Sequence, residues 1–412
     1  MHHWEICNLP LQNSNCVKLK EILNAWAVAL FWRFCVRYAN RCPSAIHTDL
    51  LSVRSILVVK LDALGDFVLA TPFLRELRRL APHATITLIT REIAGPLARN
   101  SPFIDRALVL NVDFQPRRWG SLKRVANYDR FFRNELPNHS FDLAIIPRTG
   151  PDIGYAQLAA CLSGAKCRVG FASAASQTDN HSAPLTLTVK YPATHVHEAE
   201  ANLLLLEALG ASPCAGPLEL NCSTSEITDL ENALIKMGLN ISSGFIALGV
   251  GASLPHKRWP AEYFYSVAQQ LEGKIGMPII ILGDESDRLR FPTSKGLIFN
   301  LAGLLSPSQS WALLRMARLF IGNDSGAVHL ASAAACPILL ISWDRPEQNE
   351  NDVNSFRRFH PYGVPYRVLH PQTEDGRREA SSITIDRVLA VANSMLFAEA
   401  AAPVGFANKP SL

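Results

Sequence analysis

Ser55-Ile56-Leu57-Val58-Val59-Lys60 is a short, apolar, β-branched run, and Leu61-Asp62-Ala63-Leu64-Gly65-Asp66 follows it directly. The run has the character of a strand buried on both faces. Phe67 to Leu80 carries apolar residues at helical spacing, and Thr85 to Thr90 reads as the next strand. Strand, glycine-bearing loop, helix, strand is a βαβ unit, which dictates a parallel sheet with ligands at the carboxyl ends of its strands. Pro72 falls inside the helical segment. The helix therefore kinks there, or restarts with Thr71 as cap and Pro72 at its first position.

A second apolar run, Leu319-Phe320-Ile321, leads into Asn323-Asp324-Ser325-Gly326-Ala327-Val328-His329-Leu330-Ala331-Ser332-Ala333, and Ile338 to Ile341 follows. This reads as strand, tight polar turn, short helix, strand. Such a turn leaves backbone N–H groups free at a sheet tip, where a phosphate can sit on the helix N-terminus. Asp324 and Ser325 are good N-cap residues, Gly326 admits close approach to the backbone, and His329 falls one turn on, on the Ser325 face. Alone, the segment fits a plain cap and turn equally well.

Working outward, the same alternation continues. Strands are expected at 107–110, 141–146, 167–171, 244–249, 279–282, 297–300, 318–322 and 338–342, and helices at 153–163, 197–209, 224–238, 260–273, 307–316, 326–335 and 383–397. Residues 111–140 read as a polar stretch, 172–194 as a loop, and 211–215, with Pro213, as a linker. A chain of 412 residues exceeds one ordinary core. The expected organisation is an N-terminal extension at 1–50, a Rossmann-like half at 51–212, a second at 213–382, and a helix in 383–412 that packs back onto the first half before a tail.

Composition narrows the functional classes. At 48% hydrophobic and 18% charged residues the chain is globular rather than disordered. A net charge of only +4 argues against general nucleic-acid affinity. The nine cysteines form no Cys-x-x-Cys pair and show no zinc-ligand spacing, so they read as reduced thiols. No metal-ligand cluster or Asp-x-Asp loop is evident. No stretch reaches the ~20 apolar residues that span a bilayer. Ile22 to Trp32, however, is uncharged, carries Trp26, Phe31 and Trp32, and is flanked by Lys18, Lys20, Arg33, Arg37 and Arg41. It reads as a helix for an anionic membrane surface, or as one packed on the protein itself.

Four segments taken together resemble glycosyltransferase family 9, the ADP-heptose:lipopolysaccharide heptosyltransferases. They are Leu64-Gly65-Asp66 with Ala70-Thr71-Pro72; His197-Glu198 before a Leu-rich segment ending at Leu209-Gly210; Lys257-Arg258-Trp259-Pro260; and Asp324-Ser325-Gly326 with His329-Leu330-Ala331. The resemblance covers about residues 54–395. It implies an α/β protein of GT-B architecture, two Rossmann-like doubly wound domains facing across a cleft. It implies inverting, metal-independent transfer of heptose from ADP-heptose to lipopolysaccharide core, with no cofactor beyond the nucleotide sugar. The protein would work in the cytoplasm, peripheral on the inner membrane.

On this resemblance Asp66 is the base that takes the acceptor hydroxyl's proton. Gly65, Ser253, Lys257, Asp324, Ser325, Gly326 and His329 line the donor site. Asp284, just past the strand at 279–282, suits ribose hydroxyls, with Glu285 and Asp287 competing for that role. Arg117, Arg118, Lys123, Arg124 and Arg148 are candidates for meeting an anionic glycolipid acceptor. Bland readings stand beside these: Asp66 as a helix cap, Lys257 as a solvated loop charge, His329 as a core histidine, Asp284 as a turn acid, and the arginines as a solvated face. Alternatives in function are transfer of another sugar to surface polysaccharide, a sugar-nucleotide epimerase, and a nucleotide-binding protein without turnover. A dehydrogenase is disfavoured, since the 61–66 loop lacks Gly-x-Gly-x-x-Gly.

Overall fold

The computed structural model describes residues 50–111, 120–137, 140–149, 156–172, 185–190, 196–292, 296–343, 356–371 and 380–398. The basic, aromatic segment around Ile22 to Trp32 lies outside them, as do Arg117 and Arg118.

Twelve described strands form two parallel sheets of six. The first contains β1 (Ser55–Lys60), β2 (Thr85–Thr90), β3 (Arg106–Val109), β4 (Leu143–Ile146), β5 (Cys167–Phe171) and β6 (Leu187–Val189), ordered β3-β2-β1-β4-β5-β6. The second contains β7 (Phe245–Gly249), β8 (Ile279–Leu282), β9 (Ile298–Asn300), β10 (Ala317–Asn323), β11 (Ile338–Ile341) and β12 (Tyr366–Leu369), ordered β12-β11-β10-β7-β8-β9. Numbered from their own first strands, both run 3-2-1-4-5-6, the doubly wound order. Each sheet thus reverses its winding at one crevice, between β1 and β4 and between β7 and β10. Ile56, Leu57, Val58 and Val59 have no exposed surface, as strands covered on both faces require.

Sequence signals explain most helix limits. Thr224–Lys236 begins at a Ser223/Glu226 capping box, and Pro307–Leu314 at a Ser306/Gln309 box with proline in its first turn. Ala261–Ile275 ends at Gly276 with φ of 67°, a left-handed conformation that glycine adopts without strain. The segment at 64–80 divides at Ala70 into Leu64–Leu69 and Thr71–Leu80. Ala70, not Thr71, holds the cap position. The Thr71 hydroxyl instead donates back to the Val68 carbonyl and accepts from Glu219 N–H.

Other expectations need correcting. The 197–209 segment is two short helices, Glu198–Ala201 and Leu204–Glu207. The polar stretch contains a helix, Gly120–Glu135, whose inner face carries only a few apolar groups such as Phe132 and Tyr128. The 172–194 loop holds β6. The helix Ile385–Ala398 does not return to the first half. Its Val388, Ala392 and Leu396 stripe packs with Phe264, Leu271, Ile246 and Ile321 over the second sheet, and the Trp259 indole N–H donates to Ile383 O near its start.

One apolar core is continuous between the halves, joining Val58, Phe67 and Phe73 to Phe245, Phe320 and Trp311. The helix Leu64–Leu69, after β1, packs directly on Gly326–Ala333, after β10. The carboxyl ends of the two sheets therefore meet.

Candidate active site

Helix packing brings the two sequence motifs together at glycine. A Cβ on Gly65 would stand 2.5 Å from His329 Cδ2 and 3.4 Å from Gly326 Cα, and one on Gly326 would stand 3.1 Å from Leu64 Cβ. Both positions need a missing side chain so that the chains can touch. His329 is a buried ring seated on Gly65, and its Nδ1 has no hydrogen-bond partner among the described residues. Burial lowers its pKa to about 4, Asp324 opposes this, and His360 and Lys257 add to it, so the imidazole is neutral.

In the first half, the winding crevice is an ionic layer. Lys60 at the end of β1 is buried; its Nζ donates to Pro147 O at 2.6 Å and lies 2.8 Å from Asp62. Asp62 in turn pairs with Arg148, from beyond β4. Arg148 is thus committed to bracing β1 against β4. Asp66, half-buried, accepts from Ala63 N–H through Oδ2 at 3.1 Å, and Oδ1 has no hydrogen-bond partner among the described residues. The cap role is real and leaves one oxygen open. Desolvation raises the Asp66 pKa from its ordinary value; Lys60 opposes it, Glu198 adds to it, and the Ala63 N–H and Arg358 also oppose it. Burial lowers the Lys60 pKa in the same layer, while Asp66 and Glu198 raise it and Arg148 lowers it.

The second crevice is bridged by Asn323. Its amide donates to Val250 O at 2.7 Å and accepts from Trp259 N–H at 3.0 Å, tying the loop after β7 to the end of β10. Lys257 then reaches across, with Nζ 3.0 Å from Asp324 Oδ2. The Trp343 indole N–H donates to the same oxygen at 3.0 Å, and its ring lies under Lys257 and against His256. Ser325 occupies the N-cap position of Gly326–Ala333, but its hydroxyl makes no cap bond, so the helix start stays open.

The remaining candidates are less concentrated. Ser253 is exposed on the loop after β7. Asp284 is exposed and caps Glu285–Arg288, with Oδ1 bound by Ser286 and the Asp287 N–H. Asp287 is fully buried against Arg258, so it serves the scaffold. Lys123 and Arg124 fall on the helix Gly120–Glu135, and their side chains lie outside the described residues.

Sequence reasoning missed several groups. Asn323 and Trp343 bear no motif of their own. Arg358 lies in a short helix, Phe356–Phe359, between β11 and β12, yet its guanidinium is buried 2.6 Å from Glu198 and hydrogen-bonded to Thr149 in the first half. His197, which the sequence marked as part of a family segment without a role, caps Glu198–Ala201 through Nδ1 and donates from Nε2 to His360 O at 2.9 Å. Burial lowers its pKa to about 3. Among the described residues, no helix is long and apolar enough to cross a membrane.

Comparison with known proteins bears on this geometry. The model of glycosyltransferase family 9 (heptosyltransferase) matches residues 132–341, about half of the chain. Lipopolysaccharide heptosyltransferase 2 of Salmonella typhimurium is 25% identical over 312 residues, 69% of this chain and 82% of the relative. Its Escherichia coli counterpart is 23% identical over the same share of each chain. A family 9 glycosyl transferase structure from Veillonella parvula superposes with a TM-score of 0.70 at 21% identity, covering 86% of this chain and all of that one. The E. coli ADP-heptose lps heptosyltransferase II structure gives 0.63 at 20% identity, covering 84% and 99%. The paired, identically ordered sheets are the GT-B architecture. Sequence match and fold agree: the chain belongs to glycosyltransferase family 9 and is an enzyme of glycosyl transfer from a nucleotide diphosphate sugar.

Proposed function

We propose that this protein is an inverting, metal-independent heptosyltransferase that moves heptose from ADP-heptose to a lipopolysaccharide core acceptor, in the cytoplasm at the inner membrane. One observation carries the reading: Gly65 and Gly326 are in contact, so the open oxygen of Asp66 and the open helix start at Ser325 belong to facing walls of one cleft. The names of the bacterial relatives supply the sugar and the acceptor class.

The donor diphosphate rests on the start of Gly326–Ala333, where the helix end, the Ser325 hydroxyl and Lys257 meet its charge. Asp324 steadies Lys257, and Trp343 steadies Asp324. An acceptor hydroxyl approaches from the first half. Its oxygen attacks the anomeric carbon, Asp66 Oδ1 accepts its proton, and the bond to the diphosphate breaks with the electron pair leaving on phosphate. A single displacement without covalent nucleophile inverts the centre. A carboxylate with raised pKa is a stronger base at neutral pH than an ordinary one. Lys257 and the helix end provide the fixed positive field that a leaving diphosphate needs. The basic residues Arg117, Arg118, Lys123 and Arg124 meet the anionic acceptor, and Arg148 serves by fixing Asp62.

The test is a panel of nucleotide sugars with truncated core acceptors, reading nucleotide diphosphate release and product anomer, with and without chelator. Release with ADP-heptose, an inverted product and no chelator effect are expected. Turnover only with another sugar overturns the donor; a retained anomer or chelator inactivation overturns the mechanism. Full transfer by Asp66→Ala removes Asp66 as the base.

A further inference from the structure

Arg358, outside the four family segments, forms a buried ion pair with Glu198, which belongs to one of them. Their side chains are 2% and 3% exposed, and their N···O distance is 2.6 Å. Glu198 Oε2 also accepts from the Thr149 hydroxyl at 2.7 Å, just beyond β4. A buried pair of this kind adds little to stability by itself, because desolvation offsets the attraction. Its position is what matters. Glu198 opens the helix Glu198–Ala201, which packs on Leu64–Leu69, the helix that carries Asp66. Arg358 comes from the other half, out of the connection between β11 and β12.

We propose that Arg358 and Glu198 are positioning residues for Asp66, a cation supplied by the second half and an anion held in the first, which together fix the charge of the Asp66 carboxyl. The inference rests on the reading of Asp66 as the base. Among the described residues, the charged groups that act on Asp66 come from several elements. Lys60 comes from β1, backed by Asp62 and Arg148; Glu198 and Arg358 come from the two helices just named; His329, from Gly326–Ala333, is neutral. Glu198 disfavours ionisation of Asp66 and Arg358 favours it. Because Arg358 belongs to the donor half, parting the halves would withdraw the cation and leave the anion behind.

The experiment titrates Asp66 in the free protein by carbon-13 NMR of carboxyl-labelled aspartate, its signal identified by its absence in Asp66→Asn. Glu198→Gln keeps the size and both hydrogen bonds while removing the negative charge, so the midpoint should fall by about one pH unit. Arg358→Gln should raise it by a similar amount, and the double variant should return towards wild type. The acid limb of the transfer rate should move in the same directions. A pair that only holds the fold would lower the melting temperature without moving the midpoint in opposite senses. Unchanged midpoints, or shifts of one sign, overturn the proposal. So does loss of transfer in folded Glu198→Gln, since that change leaves Asp66 ionised. If Arg358→Gln does not fold, Glu198→Gln decides alone. Transfer surviving in Asp66→Asn defeats the base reading instead, whatever the midpoints do.

Discussion

Gly65→Ala is a one-methyl test of how the two halves meet. At a helix position an alanine ordinarily stabilises over glycine by up to about 1 kcal/mol. Gly65 is on Leu64–Leu69 with no left-handed backbone to defend, so intrinsic propensity favours the substitution. Packing opposes it. The new methyl would stand 2.5 Å from His329 Cδ2, against an ordinary contact near 3.4 Å, so ring or helix must yield by roughly 1 Å. His329 is buried, and the same methyl would already stand 3.4 Å from Gly326 Cα, so moving it away from the ring meets backbone. Overpacking of that kind costs about 1–3 kcal/mol, which outweighs the propensity gain. If the helices part by about 1 Å, Asp66 shifts relative to the Ser325 wall, and misplacement on that scale lowers turnover about 100-fold. The assays are urea unfolding and steady-state release of nucleotide diphosphate. Gly65→Ala should lose both stability and kcat, and adding His329→Ala should recover part of each, giving a coupling of at least about 1 kcal/mol. A glycine needed only to admit the donor would show a raised donor KM and no rescue. Gly65→Ala as stable and as fast as wild type refutes the packing argument.

Asn323→Ala strands Val250 O and Trp259 N–H in the interior, so it should cost about 2–4 kcal/mol in denaturant unfolding, with a weakened donor affinity; a loss under 1 kcal/mol would contradict the bridge. Lys257→Ala should lower kcat about 100-fold or more with the fold intact by circular dichroism, whereas Trp343→Phe, which loses one hydrogen bond to Asp324 but keeps a ring under Lys257, should cost only about 5–10-fold in kcat/KM. Acidification should act through Glu226: burial opposes its ionisation, but hydrogen bonds from Asn100, Ser308 and Ser223 win and hold its pKa below the reference of 4.5. Its contribution is therefore full above about pH 4.5 and lost as pH falls through the depressed folded value. Glu226→Gln should flatten the melting temperature against pH in that acid range, and an unchanged slope would reject the assignment.

The sequence made the sheets legible because strands buried on both faces are continuous apolar runs, and Ser55–Lys60 and Ile279–Leu282 carry little else. β6 and β12 were not legible, for they are short, half-exposed edge strands without such runs. Asp66, Lys257 and the Ser325 turn were visible through motif resemblance. Gly65 was visible as a motif residue, but its contact with His329 and Gly326, about 260 positions along the chain, was not. Arg358 could not be seen, because nothing local marks an arginine whose partners, Glu198 and Thr149, lie in the other half. Asp284 was legible by its position after a strand, and the structure adds that its Oδ1 caps the helix Glu285–Arg288.

The shared strand order explains how the halves divide the chemistry. In a doubly wound sheet the crevice opens where the winding reverses, and in both halves that crevice is occupied. In the first it is filled by protein charge: Lys60 to Pro147 O, Asp62 to Arg148. Buried charge pairs already lie between those strands, and the helix after β1 carries the Asp66 carboxylate. In the second, Asn323 closes the crevice with a neutral bridge one layer below the surface, leaving Lys257, Asp324 and the open helix start above it. Among the described residues, a donor diphosphate therefore finds Lys257 and an open helix start in the second half, and Asp66, with an open oxygen on the helix that holds Gly65, belongs to the first. Exchanging the roles would require Asp62 and Arg148 to be unpaired at the cost of buried charge, which is a physical reason for the donor to reside where Asp324 and Lys257 already stand half-exposed.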